Sequence, residues 1–268
     1  MVTFLFWNLH QKPLQGFIAN LALRHRVDVL MLIECAIAPG VLLRTLNQLN
    51  SSDYHYAPGI GCRRVHIFTQ FSREFIPPVF ETDRLTIRHL KLPARTDILL
   101  AVVHFPSKLH WKEPSQAFEC TQLADLIRCE EENIGHSRTV LVGDLNMNPF
   151  EAGVVSAGGL HGVMCRRIAE KRARVVQGRQ YPFFYNPMWS LLGDASPGPP
   201  GTYYHGGSEH MVFFWNMFDQ VLIRPELLQL FSGQDLEILQ SDGATSLLSA
   251  SGIPNCSDHL PILFNLRL

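Results

Sequence analysis

The run Thr139-Val140-Leu141-Val142-Gly143-Asp144-Leu145-Asn146-Met147-Asn148-Pro149 limits what this chain can become. Residues 139 to 142 form a strand that is apolar on both faces, and only a sheet covered on both sides buries such a strand. The polar residues that follow therefore stand at the strand's exit, where ligands bind in α/β sheets. Asp144 and Asn146 are two apart, so an extended backbone points both side chains the same way. Asn148-Pro149-Phe150-Glu151 reads instead as a helix N-cap, a first-turn proline and a capping-box acid, which gives Asn148 a structural role.

Two more apolar runs end in polar groups: Val2 to Trp7 in Asn8, and Val27 to Ile33 in Glu34. Between them Phe17, Ile18, Leu21 and Ala22 recur at helical spacing over Gly16 to Arg26. A helix joining two such strands predicts a right-handed crossover and a parallel pair, with Asn8 and Glu34 on one sheet edge. Pro39 to Asn50 predicts a second helix. From Tyr54 the period shortens, and Tyr54–Tyr56, Arg64–Phe68, Glu74–Phe80, Thr86–Leu92 and Asp97–His104 read as an antiparallel meander. Lys112 to Asn133 is the longest helical pattern, with Phe118, Leu123, Leu126 and Ile127 on its buried side.

Gly153 to His210 reads as a long loop region, functional or partly disordered, with a basic cluster (Arg166, Arg167, Lys171, Arg172, Arg174, Arg179). Phe218–Ile223, Leu236–Leu239 and Leu260–Phe264 close the chain as strands, the last preceded by Ser257-Asp258-His259. No repeat or linker divides the sequence, so the expectation is one domain over residues 1–268, two sheets with helices outside.

With 268 residues and 46% hydrophobic content, such a domain buries its core without covalent staples. Six cysteines, none in a C-x-x-C pair, read as reduced thiols of a cytoplasmic protein. A formal net charge of -1 excludes a surface coated for nucleic acid and leaves only a local patch. No basic leader precedes Asn8 and His10, and no run approaches ~18 apolar residues, so no membrane span is expected. Nothing in the sequence calls for an obligatory protein partner.

Asn8, Glu34, His104, Asp144, Asn146, Asp219, Asp258 and His259 thus stand at strand exits or inside apolar runs. Singly, each has an ordinary explanation as a turn, a cap or a paired side chain. Jointly they are harder to dismiss, because buried carboxylates need partners or a metal. Glu34 and Asp258, with the amide oxygen of Asn8, offer hard oxygen ligands that suit Mg²⁺, or Mn²⁺ in its place, better than zinc. His104 and His259 suit proton transfer or stabilisation of an anionic phosphorus centre. Asp144 and Asn146 could orient a water and hold a phosphate oxygen.

Trp7-Asn8, Glu34, Val103-His104-Phe105, Gly143-Asp144-Leu145-Asn146, Phe218-Asp219-Gln220-Val221-Leu222 and Ser257-Asp258-His259 resemble, in order, the motifs of the endonuclease/exonuclease/phosphatase superfamily. The resemblance implies a four-layer α/β sandwich, with two facing mixed β-sheets flanked by helices, and metal-dependent hydrolysis of a phosphate ester. It implies Glu34 as the main metal carboxylate with Asn8 and Asp258 nearby, and Asp144 as the residue that positions the attacking water. Asn146 would bind the phosphate, His259 would contact it with Asp219 as carboxylate partner, and His104 would be a second histidine. In deoxyribonuclease-like relatives that second histidine leans on an acid from a preceding strand. Cys62 to Phe68 carries no acid but has Arg63 and Arg64, which suggests phosphate-binding arginines instead.

The substrate is left open. A nuclease acting on DNA or RNA is favoured by the basic cluster from Arg166 to Arg179 and by Trp189, Tyr203, Tyr204 and Trp215 as stacking platforms. The alternatives are a phosphatase or phosphodiesterase on a small-molecule or lipid phosphate, and an inactive relative serving as a binding scaffold. The joint presence of Glu34, Asp144, Asn146, Asp258 and His259 argues against the last.

Overall fold

The computed structural model describes residues 1–49, 53–109 and 111–268. A six-stranded sheet runs in the order Leu236–Ile238, Ile262–Leu266, Val2–Asn8, Val29–Ile33, Val65–Thr69, His55–Ala57. A seven-stranded sheet runs Pro78–Glu81, Leu85–Leu90, Ile98–His104, Thr139–Asp144, Asp219–Ile223, Phe184–Tyr185, Gly162–Val163. Both are mixed. Val2–Asn8 is parallel to Val29–Ile33 and antiparallel to Ile262–Leu266, while Thr139–Asp144 is parallel to Ile98–His104 and antiparallel to Asp219–Ile223.

The two-residue side-chain period builds the layers. Leu100, Val102, Val140, Val142, Val221 and Ile223 join Phe4 and Phe264 in the core between the sheets. Their neighbours Leu99, Ala101, Val103, Leu141 and Leu222 point the other way and pack against Cys120, Leu123 and Ile127 of the helix Glu113–Ile134. The helices Gln15–His25 and Pro39–Leu49 bury Ile18, Leu21, Leu42 and Leu46 in the same continuous apolar cluster as the strands of the six-stranded sheet. At 11 residues each they are too short to persist alone, so sheet packing holds them. The result is a four-layer α/β sandwich.

The parallel pairing of Val2–Asn8 with Val29–Ile33 across an intervening helix is as expected, with Asn8 opposite Ile33 at the exit edge. The helix expected from Pro39 is present over Pro39–Leu49, and Asn50 lies outside the described residues. Other expectations are corrected. The meander is split: His55–Ala57 and Val65–Thr69 belong to the first sheet, Pro78–Glu81, Leu85–Leu90 and Ile98–His104 to the second. Between them Ser72 accepts the Glu74 N–H and caps a 3₁₀ turn, Arg73–Phe75, where a strand was expected. Phe118 is 62% exposed. The buried face of its helix is Gln116, Cys120, Leu123, Ala124, Ile127 and Glu131, a clean helical stripe that passes Phe118 by. Among the described residues, no helix is long and apolar enough to cross a membrane.

Gly143 leaves no room for a side chain beside the neighbouring parallel strand. A Cβ there would lie 2.0 Å from the Val103 carbonyl oxygen, a backbone atom that cannot swing aside. Gly143→Ala is expected to lower stability by about 3 kcal/mol, measured by urea unfolding. A loss below ~1 kcal/mol would show that the strands separate freely.

Candidate active site

The strand registers bring the polar exits together. His104 lies opposite Asp144, and Asp144 lies opposite Asp219, so three chemistry-bearing residues form one row across the seven-stranded sheet. Asn8 and Glu34 end adjacent strands of the facing sheet. The two rows meet through side chains. Asn8 Nδ2 donates to Asp144 Oδ2 at 3.1 Å and to Glu34 Oε1 at 3.4 Å, and His104 Nε2 lies 3.3 Å from the same Glu34 oxygen. The Asn8 amide oxygen is turned away, accepting the His10 N–H at 3.0 Å.

Asp219 is fully buried, and its Oδ2 is 2.7 Å from His259 Nδ1. The other imidazole nitrogen faces Asp144 Oδ2 at 3.9 Å. Burial works against a charged His259, but Asp219, Asp144 and Asp258 outweigh it and hold the imidazole well above its ordinary pKa. Burial, reinforced by Asp219, pushes the Asp144 carboxyl upward. Glu34 moves oppositely: hydrogen bonding from His104 leads the causes that outweigh burial and bring it down to about 2. One edge thus holds an acid kept ionised, an acid eased toward protonation and a histidine kept cationic.

Glu34 and Asn146 both take left-handed backbone, at φ 45° and 50°, which turns the chain sharply as it leaves each strand. Asn146 N–H donates to Asp144 Oδ1 at 2.8 Å, and Asn146 Nδ2 donates to the Phe105 carbonyl at 3.1 Å. Asn148 is not a cap. Its Oδ1 accepts the Met217 N–H and its Nδ2 donates to Asn216 Oδ1, tying the Asp144 exit loop to the residues before Asp219. The short helix begins later, at Ala152, although Glu151 does accept the Asn148 N–H.

Asp258 and Glu34 bracket a common position. His10 Nδ1 lies there, 3.3 Å from Asp258 Oδ2 and 4.0 Å from Glu34 Oε2. An imidazole lodged between two partly exposed carboxylates marks a spot suited to a cation. With oxygen donors only, the pair fits Mg²⁺ or Mn²⁺.

Several supporting residues carried no signal of their own in the sequence. Trp7 Nε1 donates to the His259 carbonyl, and Ser257 Oγ donates to the Asn8 carbonyl while accepting the His259 N–H. Thr202 Oγ1 accepts the Asp219 N–H, and the Tyr203 ring lies 4.6 Å from the His259 ring. Burial pushes the Tyr203 hydroxyl up, and Asp258, Asp144 and Glu34 push it further. Trp7 and Ser257 sat inside recognised motifs; Thr202 had no such flag.

Arg63 and Arg64 line a cleft of about 150 Å³ with Glu34 and His104, and Arg64 Nε is paired with Asp83 at 2.7 Å. The in-sheet neighbour of His104 is not their segment. It is the strand Leu85–Leu90 and the preceding Arg84, whose carbonyl accepts the His104 N–H. His104 Nδ1 has no partner among the described residues, so no His–acid pair forms on that side. The basic cluster lies elsewhere. Arg166 donates to the Phe231 and Leu228 carbonyls, Arg174 to His161, and residues 173–182 form a separate hairpin. That region adjoins Tyr185, opposite Ile223, ~13 Å down the strand from Asp219. The aromatic half of the expected surface is nearer: Tyr203, Tyr204 and Trp215 share the hairpin beside His259, with Tyr204 and Trp215 at 5.5 Å.

Replacing Asp219 by Asn removes the main support of the His259 charge and leaves burial dominant. In the intact protein His259 is expected to stay protonated across pH 6–8, and in Asp219→Asn to be neutral there, as followed by imidazole NMR. Because the folded pKa is raised, the pair's contribution to stability is full below the ordinary histidine value of 6.5 and fades as pH climbs through the raised one. A His259 titration that the substitution leaves unmoved would contradict this account.

No family model matches the chain, and no curated protein matches it. Solved structures do. An endonuclease/exonuclease/phosphatase family protein from Leptotrichia buccalis C-1013-b superposes with TM-score 0.59 at 13% identity, covering 100% of both chains. An AP endonuclease from Archaeoglobus fulgidus gives 0.58 at 13% identity, again over 100% of both. The 3′ phosphatase NExo from Neisseria, bound to a product DNA hairpin, gives 0.58 at 12% identity over 99% of each. The chain has the endonuclease/exonuclease/phosphatase fold.

Proposed function

We propose that this chain is a divalent-metal-dependent phosphoesterase whose substrate is a nucleic-acid phosphodiester. The observation that carries the reading is His259 held at 2.7 Å by Asp219 and facing Asp144, on the edge where Glu34 and Asp258 converge. Structural neighbours include an AP endonuclease and a 3′ phosphatase bound to DNA, which supports a phosphate ester in DNA as substrate.

Glu34 and Asp258 would hold Mg²⁺ or Mn²⁺, with Asn8 bridging Glu34 to Asp144. When bound, such an ion polarises a phosphoryl oxygen and offsets charge that builds there. Asp144, eased toward protonation by burial, is suited to orient a water and accept its proton. Asn146 spends one amide hydrogen on the Phe105 carbonyl, leaving the second for a phosphate oxygen. The His259 imidazolium donates from Nε2 to the oxygen that gains charge, and Asp219 holds the ring in place. His104 sits against Glu34, where it orients the carboxylate. Arg63 and Arg64 flank this centre and would receive a neighbouring phosphate.

One finding favours a second reading, a phosphatase or phosphodiesterase on a small-molecule or lipid phosphate. The cluster Arg166 to Arg179 does not line the site; among the described residues the arginines in the clefts beside His104 are Arg63, Arg64 and Arg84, fewer cations than a nuclease track would offer.

Glu34→Gln and His259→Ala are each expected to lower Mg²⁺-dependent hydrolysis of DNA and of bis-p-nitrophenyl phosphate by at least ~10²-fold with the fold intact by circular dichroism. Full activity in either variant would overturn the assignment. Affinity for DNA is expected to fall steeply between low and physiological salt. Salt-independent turnover of a small phosphate ester, with none of DNA, would favour the second reading.

A further inference from the structure

The seven-stranded sheet carries a second group of ligating side chains at the edge opposite the active site. His89 lies near the end of Leu85–Leu90, Asp97 immediately precedes Ile98–His104, and His136 sits between the long helix and Thr139–Asp144. The pairings Leu90 with Ile98 and Leu99 with Thr139 bring the three together. His104 is six residues up the strand from Ile98, ~20 Å away. The catalytic proposal uses none of them.

Asp97 Oδ2 lies 2.9 Å from His89 Nε2 and 3.2 Å from His136 Nε2, and the three atoms are all within 4.8 Å of one another. Arg138 donates to the other carboxylate oxygen, and its Nε donates to the Asp97 carbonyl at 2.8 Å. That arrangement fixes the carboxylate plane and leaves Oδ2 aimed at the two imidazoles, as outer partners do for ligating carboxylates. The Arg138 amide N–H reaches His136 Nδ1 at 3.2 Å, which orients that ring with Nε2 toward Asp97.

From this geometry we infer that His89 Nε2, His136 Nε2 and Asp97 Oδ2 form a binding site for a zinc-type divalent transition ion. Bonds of ~2.0–2.2 Å in a tetrahedral zinc site put ligand atoms about 3.4 Å apart, close to the two distances between Asp97 and the imidazoles. Two imidazoles and one carboxylate select zinc-like ions over magnesium, unlike the oxygen-only pair Glu34 and Asp258. Binding moves the proton of each imidazole from Nε2 to Nδ1, and at His136 this gives up the 3.2 Å contact with the Arg138 amide. His89 and Asp97 open onto a surface cleft of about 610 Å³, which gives an ion its entry path and leaves room for a water as fourth ligand. The ion would clip two strands to the turn that starts the Thr139 strand.

The test titrates chelator-stripped full-length protein with Zn²⁺ by calorimetry, and with Co²⁺ read by its visible ligand-field bands. One equivalent is expected to bind wild type, to persist in Glu34→Gln, and to weaken at least ~100-fold in His89→Gln and in His136→Gln. His89→Gln is expected to keep DNA or bis-p-nitrophenyl phosphate hydrolysis. On the wild-type protein, Zn²⁺ is expected to shield His89 and His136 from diethylpyrocarbonate, read by mass spectrometry, which needs no variant to fold. Unchanged zinc affinity in both histidine variants, binding lost only in Glu34→Gln, or no shielding at these two residues would overturn the proposal.

Discussion

A carboxylate with no solvent contact needs a counter-charge, and among the described residues Asp219 finds it in His259. Stranding either partner of a buried pair of this kind costs about 3–5 kcal/mol, a large part of the total stability of a domain. The pair therefore dictates more than its own geometry. His259 must be delivered by the loop before Ile262–Leu266, in one sheet, and Asp219 by the start of Asp219–Ile223, in the other. The contact pins the two sheets at their common exit edge. Trp7, Ser257, Thr202 and Tyr203 then hold the imidazole from its remaining sides.

Around that pin, three acids of similar type end in different states. Glu34 is half exposed and receives hydrogen bonds from His104 and Asn8, so it stays ionised. Asp144 is buried beside a second carboxylate, so its charge is disfavoured. Asp219 has the closest cation. Environment, not residue identity, separates an acid suited to a metal from one suited to a proton.

Much of this edge was legible in the sequence because an uninterrupted apolar run that stops at a polar residue has few interpretations. Val2–Asn8, Val29–Ile33, Ile98–His104 and Thr139–Asp144 all obey that rule, and their ends meet. Legibility failed where the deciding contact was distant. Asn148 looked like a cap from its neighbours in sequence, yet its partners are Asn216 and Met217. Phe118 looked buried by type, but the helix stripe set by Gln116, Cys120 and Ile127 turned it outward. Five short strands looked like one meander because nothing local marks a change of sheet at Ser72. The arginines from 166 to 179 looked like a substrate surface, and only the Tyr185–Ile223 pairing shows them at the far end.

The hydrogen bonds from Trp7 to the His259 carbonyl and from Ser257 to the Asn8 carbonyl join residues 252 and 249 positions apart. Contacts of such separation form late and slowly, after nearer ones have closed their loops. During synthesis, Asn8, Glu34, His104 and Asp144 leave the ribosome well before the chain that carries Asp258 and His259 exists. A growing polypeptide therefore holds most of the polar groups of this edge without the imidazole and carboxylate that arrive last. The topology completes this edge only when the strand Ile262–Leu266 closes against Val2–Asn8.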